Sequence, residues 1–287
     1  MPDFRTRGFC PLEPIFLQVE ACYTAPVFEH VLVADWSARA LPAPLRPSRD
    51  AIWWHATWLG EPRYCRTQPE AEAGILAALE QAPGPVLAGF DFCLALPAWA
   101  MHRLGGWRAL WRFLAACTPG EAERFARRLN HRLGGGDTGP FWGFRDAPRR
   151  PRPWLWTGFR ACELHLKQRG FHPKSVFQLR GAGAVGAQSL VGIAALERLR
   201  SAVNSRVWPF EETRRTRVVF AEVWPALLGR VPASEAIPDR WQVRQLCESL
   251  AGIRLPEVPD IARTEGWVLE PARGPESRRI GYTGLKS

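Results

Sequence analysis

Val31-Leu32-Val33-Ala34-Asp35-Trp36-Ser37 is an apolar run of strand-forming residues that ends in a carboxylate. Val86-Leu87-Ala88-Gly89-Phe90-Asp91 and Val218-Val219-Phe220-Ala221-Glu222 have the same form. Apolar runs without polar alternation read as buried strands. An acid at the tip of such a strand costs desolvation free energy unless positive charge compensates it. If the three strands are neighbours, Asp35, Asp91 and Glu222 surround a pocket that a divalent cation would neutralise.

Outward from these runs, the chain alternates strand and helix signals. Ala51–Trp58 is rich in strand formers, Gly60-Glu61-Pro62 supplies a turn, and Arg63–Arg66 pairs back as a third short strand. Residues 69–81 carry Ala and Leu at helical spacing, and Pro83-Gly84-Pro85 ends that helix before the strand leading to Asp91. A mainly helical stretch over 97–133, a Pro/Arg/Trp-rich linker near 139–158 and a helix over 160–169 follow. Ser175–Leu179 reads as a strand leading into Gly181-Ala182-Gly183-Ala184-Val185-Gly186 and a helix to about Arg200. The strand to Glu222 comes next, then a helix over about 240–251. The order predicts an α/β fold whose mixed sheet has an early antiparallel hairpin. The expected organisation is an N-terminal extension over 1–28, one domain over 29–270 with a helical insertion over about 97–210, and a tail over 271–287.

The 287 residues carry a net charge of +10, with 46% hydrophobic and 23% charged residues, an ordinary globular balance. No apolar run approaches the roughly 18–20 residues of a membrane span. Glu13, Pro14, Glu20 and Pro26 interrupt any signal-like core, so a cytoplasmic location is expected. The seven cysteines contain no C-x-x-C pair, which speaks against a zinc ribbon or redox motif. The positive charge is almost all arginine, whose fork suits phosphate. Arg124, Arg127, Arg128 and Arg132, with Arg145, Arg149, Arg150 and Arg152, read either as a phosphate-facing strip or as solvated surface.

Two divalent cations about 3.5–4 Å apart need several converging carboxylates. Asp35, Asp91 and Glu222 are of the right type, and Asp239, at the start of the helix after Glu222, is a fourth candidate. Glutamate between Phe220-Ala221 and Val223-Trp224 is a poor strand residue unless its carboxylate is used. Asp239 also fits a capping box with Gln242, although it shares a helical stripe with Val243, Leu246 and Leu250. The glycine run fits G-x-G-x-x-G, but the acid a dinucleotide fold needs about 20 residues on is missing. Gly181, Gly183 and Gly186 suit instead a phosphate at a helix N-terminus, with Lys174 and Gln178 beside them. The same loop also reads as a tight structural turn. Glu163 and His165 are expected on a helix surface, and His55 on a sheet face in the core. Trp99, Trp107, Trp111, Trp142, Trp154 and Trp156 read as core packing or as stacking surfaces for bases.

Together, Val31–Ser37, Gly89-Phe90-Asp91-Phe92, Ala221-Glu222-Val223-Trp224-Pro225 and Asp239-Arg240-Trp241-Gln242 resemble a group of domain-of-unknown-function families described as predicted nucleases with an RNase H-like fold. Pro173-Lys174-Ser175-Val176-Phe177-Gln178, the glycine run and Trp208-Pro209-Phe210 resemble one branch of that group. The resemblance covers about residues 30–270. It implies a five-stranded mixed sheet flanked by helices, with the first, fourth and fifth strands central and parallel. It also implies Asp35 and Asp91 as first- and fourth-strand acids, Asp239 as the acid on the last core helix, and Glu222 as the fifth-strand glutamate of that branch. A Mg²⁺- or Mn²⁺-dependent nuclease or phosphodiesterase acting on nucleic acid is the leading expectation. A nucleotide- or cofactor-directed phosphohydrolase or phosphotransferase, and a non-catalytic nucleic-acid-binding protein, are the alternatives.

Overall fold

The computed structural model describes residues 26–136, 139–147 and 158–271. In chain order the strands are β1 Val27–Phe28, β2 His30–Asp35, β3 Ile52–Ala56, β4 Arg63–Cys65, β5 Val86–Phe90, β6 Ser205–Val207, β7 Val218–Val223, β8 Ile253–Arg254 and β9 Val268–Leu269. The helices are α1 Gln68–Glu80, α2 Ala98–Leu104, α3 Trp107–Leu114, α4 Ala122–Arg132, α5 Ala161–Gln168, α6 Gly186–Ala202, α7 Pro238–Leu250 and α8 Ala262–Glu265. Thr67 opens α1 by accepting the Glu70 N–H, and Pro69 occupies its first turn, where no N–H is needed.

The main sheet runs β4-β3-β2-β5-β7-β6, and β9 also pairs with β7. β3 is antiparallel to both of its neighbours, whereas β2, β5 and β7 run parallel. The three acid-tipped runs are therefore the three central neighbours. The sheet has seven strands rather than the five expected. The additions share one edge of β7, β6 along Val218–Phe220 and β9 along Glu222–Val223. Strands of three and two residues are too short to show a period. Val27–Phe28, expected in an extension, pairs with β8 as a small second ladder.

Strand alternation splits the core in two. Leu32, Ala34, Val86, Ala88, Phe90, Val218 and Phe220 pack with α1, α3, α4 and α6 on one face. Val31, Val33, Leu87, Val219, Ala221 and Val223 pack with α5, α7 and β9 on the other. Both faces are covered by helices, which is why the central strands read as unbroken apolar runs.

Ser175–Leu179 is not a strand. Ser175 spends its hydroxyl on Gly158 O and on the Phe177 N–H, and among the described residues this segment forms only one bridge, Trp142 to Gln178. Local hydrogen bonding here wins over β propensity. Trp111 is fully buried and Trp107 stacks on Phe210, so both serve packing; Trp154 and Trp156 lie outside the described residues. His55 is buried on β3, as expected. Among the described residues, no helix is long and apolar enough to cross a membrane.

Candidate functional site

The parallel register puts Ala34 beside Phe90, and the Asp91 N–H donates to Ala34 O at 3.3 Å. Asp35 and Asp91 therefore emerge side by side from the carboxyl ends of β2 and β5. Their carboxyl groups are within hydrogen-bonding reach of each other. One oxygen of Asp91 accepts the Trp36 N–H at 2.7 Å and the Gln188 side-chain N–H at 2.8 Å. The same Gln188 amide lies 3.3 Å from Asp91 O. Gln188 sits in the first turn of α6, so the helix after the glycine run orients Asp91.

Burial, and then the charge of Asp91, raise the Asp35 carboxyl well above the usual carboxylate range; Asp239 and Asp50 add to the rise. Burial raises Asp91 from 3.8 to about 6. The pair thus retains a proton that two separated aspartates would have lost. Because the native state binds that proton more tightly, its stabilising contribution is complete below the unfolded value near 4 and is lost as pH rises through about 6. In metal-free buffer, Asp91→Asn should melt progressively higher than wild type as pH is raised from 4 to 7, read by scanning calorimetry. A gap that narrows with pH would contradict this arrangement.

Asp239 does not form the expected capping box. Ile237 is the N-cap of α7, and Asp239 instead accepts the Asp50 N–H at 2.8 Å, tying α7 to the loop between β2 and β3. Burial raises its carboxyl too. It acts on the Asp35–Asp91 pair through its charge, from outside the cleft lining.

Glu222 has a partner that local spacing did not suggest. Register sets it beside Phe90, one row before Asp91, so it stands one step short of the aspartates along the sheet. Arg160, only 1% exposed, holds both carboxylate oxygens of Glu222, at 2.7 and 2.5 Å, and the Leu94 N–H donates to one of them at 3.1 Å. Arg160 also contacts Glu163 at 3.0 Å and donates to Glu265 O at 3.2 Å. Glu163, expected on the surface, is buried, and burial raises its carboxyl despite Arg160. Arg160 and the Leu94 N–H thus engage both carboxylate oxygens of Glu222, tying the tip of β7 to the start of α5.

Asp35, Asp91 and Glu222 border one cleft of about 350 Å³, along with Lys174, Gly183 and Gln188. Gln178, Gly181 and Gly186 do not border it. Their places are structural: Gly181 and Gly183 take positive φ, and a Cβ on Gly186 would meet Val176 O and Gln178 O at 2.6 and 2.5 Å. Gln178 closes the turn by donating to Arg180 O. The α4 arginines lie over aromatic rings, Arg128 and Arg132 on Phe113 and Arg127 on Phe144, rather than at this cleft; Arg149, Arg150 and Arg152 fall outside the described residues. Among the described residues, no three His, Cys, Asp or Glu side chains come together as a complete metal cage. Arg160 and Gln188 had no motif to mark them; the i, i+3 spacing of Arg160 and Glu163 was the one local hint. No family model, curated protein or solved structure matches the chain.

Proposed function

We propose that this protein is a divalent-metal-dependent phosphodiesterase of RNase H-like architecture, acting on nucleic acid. The observation that carries the reading is the Asp35–Asp91 pair. Two carboxylates in contact at the tips of adjacent parallel strands, both made less acidic by burial, are an arrangement that a cation would relieve. The sheet supports it in part: β2, β5 and β7, the three acid-tipped runs, are adjacent, central and parallel, as the resemblance implies of its first, fourth and fifth strands.

The donor set suits Mg²⁺ or Mn²⁺ in kind and number. Such hard ions keep several waters and are commonly held by one or two carboxylates plus phosphate oxygens, so a complete protein cage is not required. When bound, the cation supplies charge neutralisation at the phosphate and a more acidic water. Asp35 and Asp91 hold it; the Trp36 N–H and Gln188 fix the orientation of Asp91. Lys174, exposed at the rim, brings positive charge to an incoming phosphate. Arg160 and Glu222 keep β7 in register beneath the pair.

The test is titration of the metal-free protein with Mn²⁺ or Mg²⁺. Melting temperature should rise with metal, since a ligand bound only by the native state stabilises it, and hydrolysis of bis(p-nitrophenyl) phosphate should require the same ion. No thermal response to either ion, with hydrolysis unaffected by chelator, would refute the proposal. The cleft volume of about 350 Å³, near the lower bound for small-ligand pockets, favours as a second reading a nucleotide-directed phosphohydrolase at the same carboxylates.

A further inference from the structure

A second cleft, of about 730 Å³, lies on the other side of the glycine turn from the aspartate pair. The two clefts share their partition. Gly183 and Gln188 border the first, whereas Arg180 and Ala187 border the second. They also share a strand exit: Asp35 borders the first, and Ala38 and Arg39 border the second. Arg39 is four peptide steps along the chain from Asp35, so their Cα atoms are at most about 14 Å apart even in extended chain. Both clefts therefore lie within the span of one short nucleic-acid strand.

The charge of this cleft is asymmetric. Its two carboxylates are already engaged, Glu123 by Arg180 and Asp146 by Arg127. Arg39 and Arg145, both exposed, make no side-chain hydrogen bond or ion pair among the described residues. Two free guanidinium groups thus face a groove whose acids are neutralised. Arginine forks match phosphate oxygens, and exposed unpaired forks lose little by taking them up. None of the described residues lining the groove is aromatic, so it offers no platform on which bases would stack.

We propose that this cleft is a subsite for the phosphodiester backbone of a nucleic-acid strand, whose phosphates Arg39 and Arg145 hold while another phosphate of the same strand lies at Asp35 and Asp91. It rests on the phosphodiesterase reading and sharpens it: the substrate is a strand several nucleotides long, gripped by its backbone with little regard to sequence. A mononucleotide would leave the second cleft empty.

The experiment compares wild type with Arg39→Ala/Arg145→Ala, both sites being exposed and unpaired. Fluorescence anisotropy would follow a labelled 20-nucleotide DNA strand, and an RNA strand of the same sequence, between 50 and 200 mM NaCl in EDTA. The double variant should bind either strand at least 10-fold more weakly at 50 mM salt. Its log K against log[salt] slope should be shallower by about 1.4, two single-strand phosphate contacts at about 0.7 each. Binding of a dinucleotide should change less than twofold. Equal affinity and slope for the two proteins, or no strand binding by wild type, overturns the subsite. The Mn²⁺-induced rise in melting temperature, measured on both proteins, separates the two claims. If it is present in both while strand binding is unchanged, only the subsite fails. If it is absent while strand binding depends on the arginines, the subsite stands and the phosphodiesterase reading fails.

Discussion

Asp35→Asn should abolish the Mn²⁺-induced rise in melting temperature and reduce metal-dependent phosphodiester hydrolysis by about 10²–10³-fold or more, the usual size of losing one preorganised charge-stabilising group. Without metal, the same variant should be more stable than wild type at neutral pH. Asp35 is held beside Asp91, and Asp239 and Asp50 add negative charge around it. An amide in its place removes the repulsion while keeping the shape, and it can donate to Asp91. Each kcal/mol relieved raises the melting temperature of a chain this long by about 2 °C. Gain of apo stability with loss of metal response is the signature of a site that trades stability for function. The pairing is checked by calorimetry in EDTA and in Mn²⁺, with hydrolysis followed on the same samples. If Asp35→Asn lowers apo stability and leaves hydrolysis intact, the aspartate is a structural residue.

Arg160→Met should have the largest effect on folding. Arg160 is 1% exposed and neutralises Glu222 and Glu163, both buried. Breaking a buried ion pair from one side leaves uncompensated charge and costs about 3–5 kcal/mol, a large share of the 5–15 kcal/mol that typically holds a domain together. The loss should grow with pH above the usual glutamate range, because Glu163, already raised by burial, would then have to ionise without its partner. Arg160→Lys should rescue poorly. A single ammonium cannot reproduce the forked contact with both oxygens of Glu222 while also reaching Glu163. Arg160→Met/Glu222→Leu should be less destabilised than the sum of the single variants, since replacing both partners removes the stranded charge. Urea denaturation at pH 6 and 8 measures all four. Full stability of Arg160→Met would remove the bracing role assigned to Glu222.

Much of the scaffold was legible. The apolar runs ending at Asp35, Asp91 and Glu222 are β2, β5 and β7, and the helical spacing of 69–81, 160–169 and 240–251 became α1, α5 and α7 within two residues at either end. These signals are local: one side-chain period and one stop signal define each element. The failures share a different physics. Ser175–Leu179 has strand composition, yet Ser175 bonds its own neighbours instead. Asp239 sits where a capping box predicts it, but its acceptor is used 189 residues away, on the Asp50 N–H. Glu163 looks like a surface acid until Arg160 reaches it and Glu222 from the same buried position.

The amino-acid sequence by itself determined that three buried strands end in acids, and hence that this sheet carries an electrostatic cost at its carboxyl edge. Only the tertiary structure decided how those acids divide. In a sheet, side-chain direction reverses with every residue, so a single step of register separates a shared face from an opposite one. Phe90 pairs with both Ala34 and Glu222, which leaves Asp35 and Asp91 together in the next row and Glu222 one step short. The two aspartates take each other as neighbours, while Glu222 takes Arg160, brought to it across 62 residues of chain. Strand composition encodes the acids; pairing register, a property of the assembled sheet, assigns each its partner.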